Sequence, residues 1–93
     1  VKVTVFEDTE DPVKPDAVFP NNWISLHANG TLVLYPMCTP NRRTERRKDI
    51  VEALCCQLDI QQMIDVSVEE RHNRFLEGTG SIVFDHINKI AYA

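Results

Sequence analysis

Asn29-Gly30 stands between two apolar runs, WISLHA and TLVLYP, and no other feature narrows the fold as much. This dipeptide supplies the two positive-φ positions of a type I′ turn, so residues 24–35 are predicted to form an antiparallel hairpin. Val1, Val3 and Val5 alternate with Lys2 and Thr4, the pattern of a half-buried strand, which predicts a further strand over residues 1–6. The acidic stretch EDTEDPVKPD follows, with Pro12 and Pro15, and reads as an exposed loop. It lacks the glycine-centred spacing of a calcium loop.

One long helix is predicted over much of residues 42–58. Thr39 can cap it with Pro40 at the first helical position, or Asn41 can cap a later start. Ile50, Leu54 and Leu58 recur every four residues, and Val51 and Cys55 widen that face. Lys48 with Glu52, and Arg46 with Asp49, are spaced to pair along the polar side. Cys55 and Cys56 read as packing residues, because no second thiol pair or histidine spacing of a zinc site accompanies them. After the helix, QMIDVS reads as a short strand. SIVFD and KIAYA read as two more, turning near residues 86–88. The expected class is therefore α/β, with one sheet face covered by the helix and the other needing a partner.

The chain has 93 residues, the span of one small domain. It starts and stops inside strand patterns, so residues 1–93 are expected to be a partial module of a longer catalytic domain. Ten basic against fourteen acidic side chains leave a net charge of -4, which argues against a nucleic-acid partner. Arg42, Arg43, Arg46, Arg47 and Lys48 form a basic run. In an acidic domain interrupted by Glu45, a solvated helix face or intrachain ion pairs explain it better than phosphate binding. No apolar run has the length of a membrane span, so no membrane partner is expected. Cys38, Cys55 and Cys56 cannot all pair within one chain, and neighbouring Cys55 and Cys56 have poor disulfide geometry. With no signal-like start, a cytoplasmic location is expected.

Two stretches can carry chemistry. In FLEGTGS, Glu77 is followed by Gly78 and Gly80, so a carboxylate sits beside backbone that a ligand can approach closely. The glycine spacing and missing lysine exclude a phosphate-cradling loop, and a structural turn with a surface glutamate is the plain alternative. In FPNNW, Asn21 and Asn22 each offer donor and acceptor atoms, suited to a planar, nitrogen-rich group such as guanidinium. Trp23 would add a stacking face or a core anchor, while an Asx turn over a buried tryptophan is the structural reading. His27, beside the hairpin turn, reads as a surface or cross-strand residue rather than a catalyst.

Taken together, FPNNWISLHANGTLVLYPMCTPNRRTERR and RFLEGTGSIVFDHINKIAYA strongly resemble the arginine deiminase-related branch of the guanidino-group-modifying superfamily, which includes the amidinotransferases. The resemblance runs over nearly the whole chain. It implies the pentein fold, five ββαβ units around a pseudo-fivefold axis, of which this chain covers about one and a half as a partial α/β-propeller. It implies that Glu77 is the acidic member of a Cys-His-Glu catalytic set; no cofactor and no metal are expected. Asn22 falls where arginine deiminases carry a guanidinium-binding aspartate, a departure that bears on arginine specificity. Asn21, Trp23, Gly78 and Gly80 complete the expected substrate-binding residues.

The resemblance places the histidine and the nucleophilic cysteine downstream of the LEGTG motif. His72, His86, Cys38, Cys55 and Cys56 do not match those positions. The expected function is a piece of a hydrolase or amidinotransferase acting on the guanidino group of arginine or an arginine derivative, inactive alone. The alternative is a stand-alone binding or assembly module. Uncovered strand edges and apolar surface lead to an expectation of self-association.

Overall fold

The computed structural model describes residues 2–18 and 20–93; Val1 of the expected first strand and Phe19 of the FPNNW corner lie outside them. A short 3-10 helix, Pro20–Asn22, leads into β1 (Ile24–Leu26) and β2 (Thr31–Leu34). Two helical pieces follow, α1 (Pro40–Arg43) and α2 (Lys48–Gln57), then β3 (Gln62–Asp65). A second 3-10 helix, Ser67–His72, and the one-turn helix α3 (Gly78–Ser81) precede β4 (Val83–Asp85) and β5 (Ile90–Tyr92).

β2 is the central strand of a three-stranded sheet. It runs antiparallel to β1, with Ser25 opposite Val33, and parallel to β3, with Leu32 opposite Met63. β1, β2, the α1–α2 crossover and β3 make one ββαβ unit. β4 and β5 pair antiparallel as the opening hairpin of a second unit, with Phe84 opposite Ala91. The architecture is an incomplete, pentein-like α/β propeller of about one and a half units. Its core gathers around β2: Leu32, Tyr35 and Met37 are buried together with Trp23 and Ile82.

The first hairpin lies where the Asn-Gly signal put it, with a different turn. Gly30 alone takes a positive φ, +82°, and its N–H donates to the His27 carbonyl at 3.0 Å. His27 N–H and the Thr31 carbonyl close the loop at 2.9 Å. Three loop residues with a left-handed glycine last form the wider, bulged turn rather than type I′. A Cβ on Gly30 would stand 2.9 Å from the Asp59 carbonyl, so the glycine is also required by close packing. The second hairpin turns over residues 86–89. There Asp85 accepts the Ile87 and Asn88 N–H groups at 3.1 and 3.0 Å.

Three further expectations are corrected. Residues 2–6 form no strand, and Val3 and Val5 are exposed. That segment lies along α2 instead, through Thr4 Oγ1 donating to Gln57 at 2.8 Å. Alternation specifies two faces but not a pairing partner, and none stands beside it among the described residues. The predicted single helix is two pieces: residues 44–47 leave the helical path, and there Arg46 reaches Glu70 while Arg47 reaches the Glu7 carbonyl. Finally, Leu58, Cys55 and Cys56 are exposed rather than packed. The half-buried face of α2 runs instead through Ile50, Val51, Ala53 and Leu54.

The acidic loop is exposed as expected, except at Lys14. This buried side chain pairs with Asp8 at 3.1 Å and donates to the Pro12 carbonyl at 3.0 Å and to Thr9. The ammonium thereby ties together backbone that has no regular structure.

Candidate functional site

α3 packs against the Pro20–Asn22 turn, and this brings the two sequence-distant motifs together. Asn22 Nδ2 donates to Glu77 Oε2 at 3.4 Å across 55 positions of sequence. The other carboxylate oxygen, Oε1, accepts the Cys38 N–H at 3.3 Å. Glu77 and Asn22 are both half-buried.

The glycines act here by close approach, not by positive φ. A Cβ on buried Gly78 would lie 2.9 Å from the Asn21 carbonyl and 3.2 Å from that of Asn22. One on Gly80 would lie 3.2 Å from Asn22 Oδ1. Without these side chains, the amide oxygen and the carboxylate form adjoining acceptors, a chemistry suited to N–H-rich cations.

Asn21 supplies backbone to the corner and is exposed. Trp23 is 2% exposed, so it packs as the core anchor under the corner and offers no open stacking face. His27 is engaged with Ser25 Oγ at 2.9 Å and stands edge-on to the Phe84 ring at 5.1 Å. Cavities of about 510 and 690 Å³ are lined by neither Glu77 nor Asn22. No group of three or more His, Cys, Asp or Glu is placed to hold a metal ion among the described residues. Nor is any described helix long and apolar enough to cross a membrane.

The residues that sequence reasoning missed lie behind the carboxylate. Segment 35–38 has no regular structure, yet each of its backbone polar groups has a partner. Tyr35 N–H donates to the Trp23 carbonyl at 3.0 Å, and Arg46 Nη1 donates to the Tyr35 carbonyl at 3.1 Å. Leu76 N–H donates to the Pro36 carbonyl at 3.1 Å. Met37 N–H donates to Glu70 Oε1 at 2.7 Å, while Arg43 donates to the carbonyls of Met37 and Cys38 at 2.8 and 3.2 Å. The remaining donor, Cys38 N–H, meets Glu77. Satisfying every main-chain group is what allows so irregular a segment to be buried at Tyr35, Pro36 and Met37 before it emerges at exposed Cys38.

The basic run supplies these braces, so its ion-pair reading holds. Arg46 clamps Glu70 with its second nitrogen at 3.0 Å, and Arg43 approaches Glu70 at 3.5 Å. Arg42 forks onto buried Glu45 at 3.0 and 3.2 Å. Arg47 pairs with Asp49, and Lys48 with Glu52 at 3.8 Å. Arg46 was expected on Asp49, but it reaches inward to Glu70 instead. The Glu45 hydrogen bond raises the Arg42 pKa above its ordinary value against the effect of burial, and more distant Glu77 adds a smaller push. Arg42 is thus within the electrostatic reach of the corner.

Burial pushes the Glu70 carboxyl upward, but Arg46, the Met37 N–H and Arg43 outweigh it and hold the group below its ordinary 4.5. A carboxyl depressed in the folded state adds stability that is present above the unfolded pKa. That stability disappears as the pH falls through the folded value. Urea midpoints measured from about pH 5 down to about pH 2.5 should therefore fall more steeply for wild type than for Glu70→Gln. Parallel curves would show that Glu70 ionisation contributes nothing.

A family model described as "N,N dimethylarginine dimethylhydrolase, eukaryotic" matches residues 1–93. No curated protein and no solved structure matches the chain.

Proposed function

The chain belongs to the eukaryotic N,N dimethylarginine dimethylhydrolase family, within the guanidino-modifying, pentein-fold group, and we propose that its Glu77–Asn22 corner handles a guanidino substrate. The observation that carries this reading is the meeting of Asn22 with Glu77 at 3.4 Å, on a surface cleared by Gly78 and Gly80. The family description points to a methylated arginine as the substrate class.

In this reading Glu77 is the acidic member of a Cys-His-Glu set. Its carboxylate orients an imidazole and stabilises the imidazolium that forms when the ring takes a proton. A thiolate attacks the guanidinium carbon, an amine leaves carrying the proton, and water then cleaves the thiouronium intermediate. Residues 1–93 contribute the carboxylate and part of the pocket. The thiolate and the imidazole come from further chain. Asn22 Oδ1 accepts a guanidinium N–H without adding charge. That favours a bulky or partly shielded guanidinium over one recognised by a full carboxylate pair.

The purified 93-residue chain is accordingly expected to release no citrulline from arginine or methylated arginines. Turnover by this chain that vanishes on Cys38→Ser would overturn the assignment, because it would place the nucleophile inside it. Joined to a segment carrying the missing cysteine and histidine, the same chain should gain citrulline release, and Glu77 should be required for it.

A further inference from the structure

We propose that Glu70, acting with Arg43, is a positioning residue for Glu77: together they fix segment 35–38 so that the Cys38 N–H stays against Glu77 Oε1. The inference rests on the functional reading only for its consequence. Its geometric content stands on the contacts themselves.

Neither strand nor helix holds residues 35–38, so the direction of the Cys38 N–H depends on side chains. Glu70 takes the preceding N–H, that of Met37, at 2.7 Å. Arg43 fixes the two carbonyls that flank the Cys38 amide, at 2.8 and 3.2 Å. The Met37 carbonyl and the Cys38 N–H share one peptide plane, so a plane held at that carbonyl, with the N–H before it and the carbonyl after it also held, cannot rotate independently, and its N–H direction is set.

Glu70 and Arg43 are in turn held against each other. They approach within 3.5 Å, Arg46 grips Glu70 from a second direction, and Arg43 lies over the Phe75 ring at 5.5 Å from its centroid. Phe75 is two residues from Glu77, so both ends of the Cys38–Glu77 contact are tied to the same guanidinium. Leu76 N–H bonding to the Pro36 carbonyl at 3.1 Å closes the loop between the two segments.

The consequence is geometric. An N–H donor aimed at Glu77 Oε1 fixes the plane of the carboxylate, leaving Oε2 to Asn22 and to an incoming group. Removing Glu70 leaves the Met37 N–H without its partner and releases Arg46 from its clamp on the segment. Cys38 then no longer presents a fixed donor.

The test uses the 93-residue chain and amide NMR, with no catalysis involved. At one neutral pH, Glu77→Gln should displace the wild-type Cys38 amide resonance, because the donor loses its carboxylate partner. In a Glu70→Gln background the same Glu77→Gln change should displace it by about half as much or less, and Cys38 hydrogen exchange should quicken by about tenfold or more. Amides of β1, β2 and β3 should keep their wild-type shifts, which separates loss of positioning from loss of fold. If Glu70→Gln does not fold, Arg43→Lys keeps the charge but cannot span both carbonyls, and the same signature is expected.

A Cys38 amide that keeps its wild-type response to Glu77→Gln and its wild-type exchange in the folded variants overturns the proposal, as does a wild-type amide indifferent to Glu77. A preserved signature alongside an assembled enzyme that turns over no guanidino compound would overturn the functional reading alone.

Discussion

Glu77→Gln is expected to lower turnover by about two orders of magnitude or more in an enzyme that joins this chain to the cysteine and histidine of the proposed set. Gln fills the same volume but presents one acceptor and one donor where Glu presents two acceptors. At present both oxygens accept, one from Asn22 Nδ2 and one from Cys38 N–H. The backbone donor cannot reverse itself, so the Gln oxygen should keep Cys38. The Asn22 amide can flip and offer its oxygen to the new NH2. The variant should therefore fold with its geometry nearly intact, within about 1 kcal/mol of wild type. What disappears is the charge that stabilises an imidazolium. Steady-state kinetics with parallel urea curves separates the two effects. Turnover within a few-fold of wild type in a stable variant would remove Glu77 from the catalytic set.

That corner was legible in the sequence because both of its halves are local signals. Asn-Asn-Trp before a hairpin and Glu-Gly-Thr-Gly before a strand each mark backbone that must pack closely. The resemblance then set them in one site, and α3 does pack on the Pro20–Asn22 turn. The hairpin at Gly30 was legible for the same reason, although Asp59 and Gln61, which leave no room for a Cβ there, lie far along the chain. Glu70 was not legible. In VEERHN, Glu69 and Glu70 look alike, and only Glu70 faces the Met37 N–H and Arg46. The break between α1 and α2 was hidden by the same physics. Periodicity carries 42–58 as one helix, whereas Arg46, reaching the Tyr35 carbonyl and Glu70, outweighs continued helical hydrogen bonding. The Val3–Val5 alternation failed in the opposite sense. It describes a strand whose pairing partner is not among the described residues.

Gly78→Ala should cost about 1–3 kcal/mol of stability and open the corner. The added Cβ would meet the Asn21 carbonyl at 2.9 Å, the Asn22 carbonyl at 3.2 Å and the Tyr35 ring at 3.3 Å. The first two are backbone atoms of the Pro20–Asn22 turn, and the ring belongs to a buried side chain, so no flexible end can swing aside. Relief requires α3 and the turn to separate by a few tenths of an ångström. The Asn22–Glu77 contact, already 3.4 Å long, has no slack to absorb that shift. Gly80→Ala provides the contrast. Its Cβ would face Asn22 Oδ1 at 3.2 Å, a side-chain atom that can rotate, so stability should change by less than about 0.5 kcal/mol while the amide is displaced. Urea midpoints for the two variants, with the Asn22 side-chain amide followed by NMR, test the pair. Equal stability of Gly78→Ala and wild type would mean that the turn and α3 have room that their backbone contact denies, and the close-approach account of the glycines would be wrong.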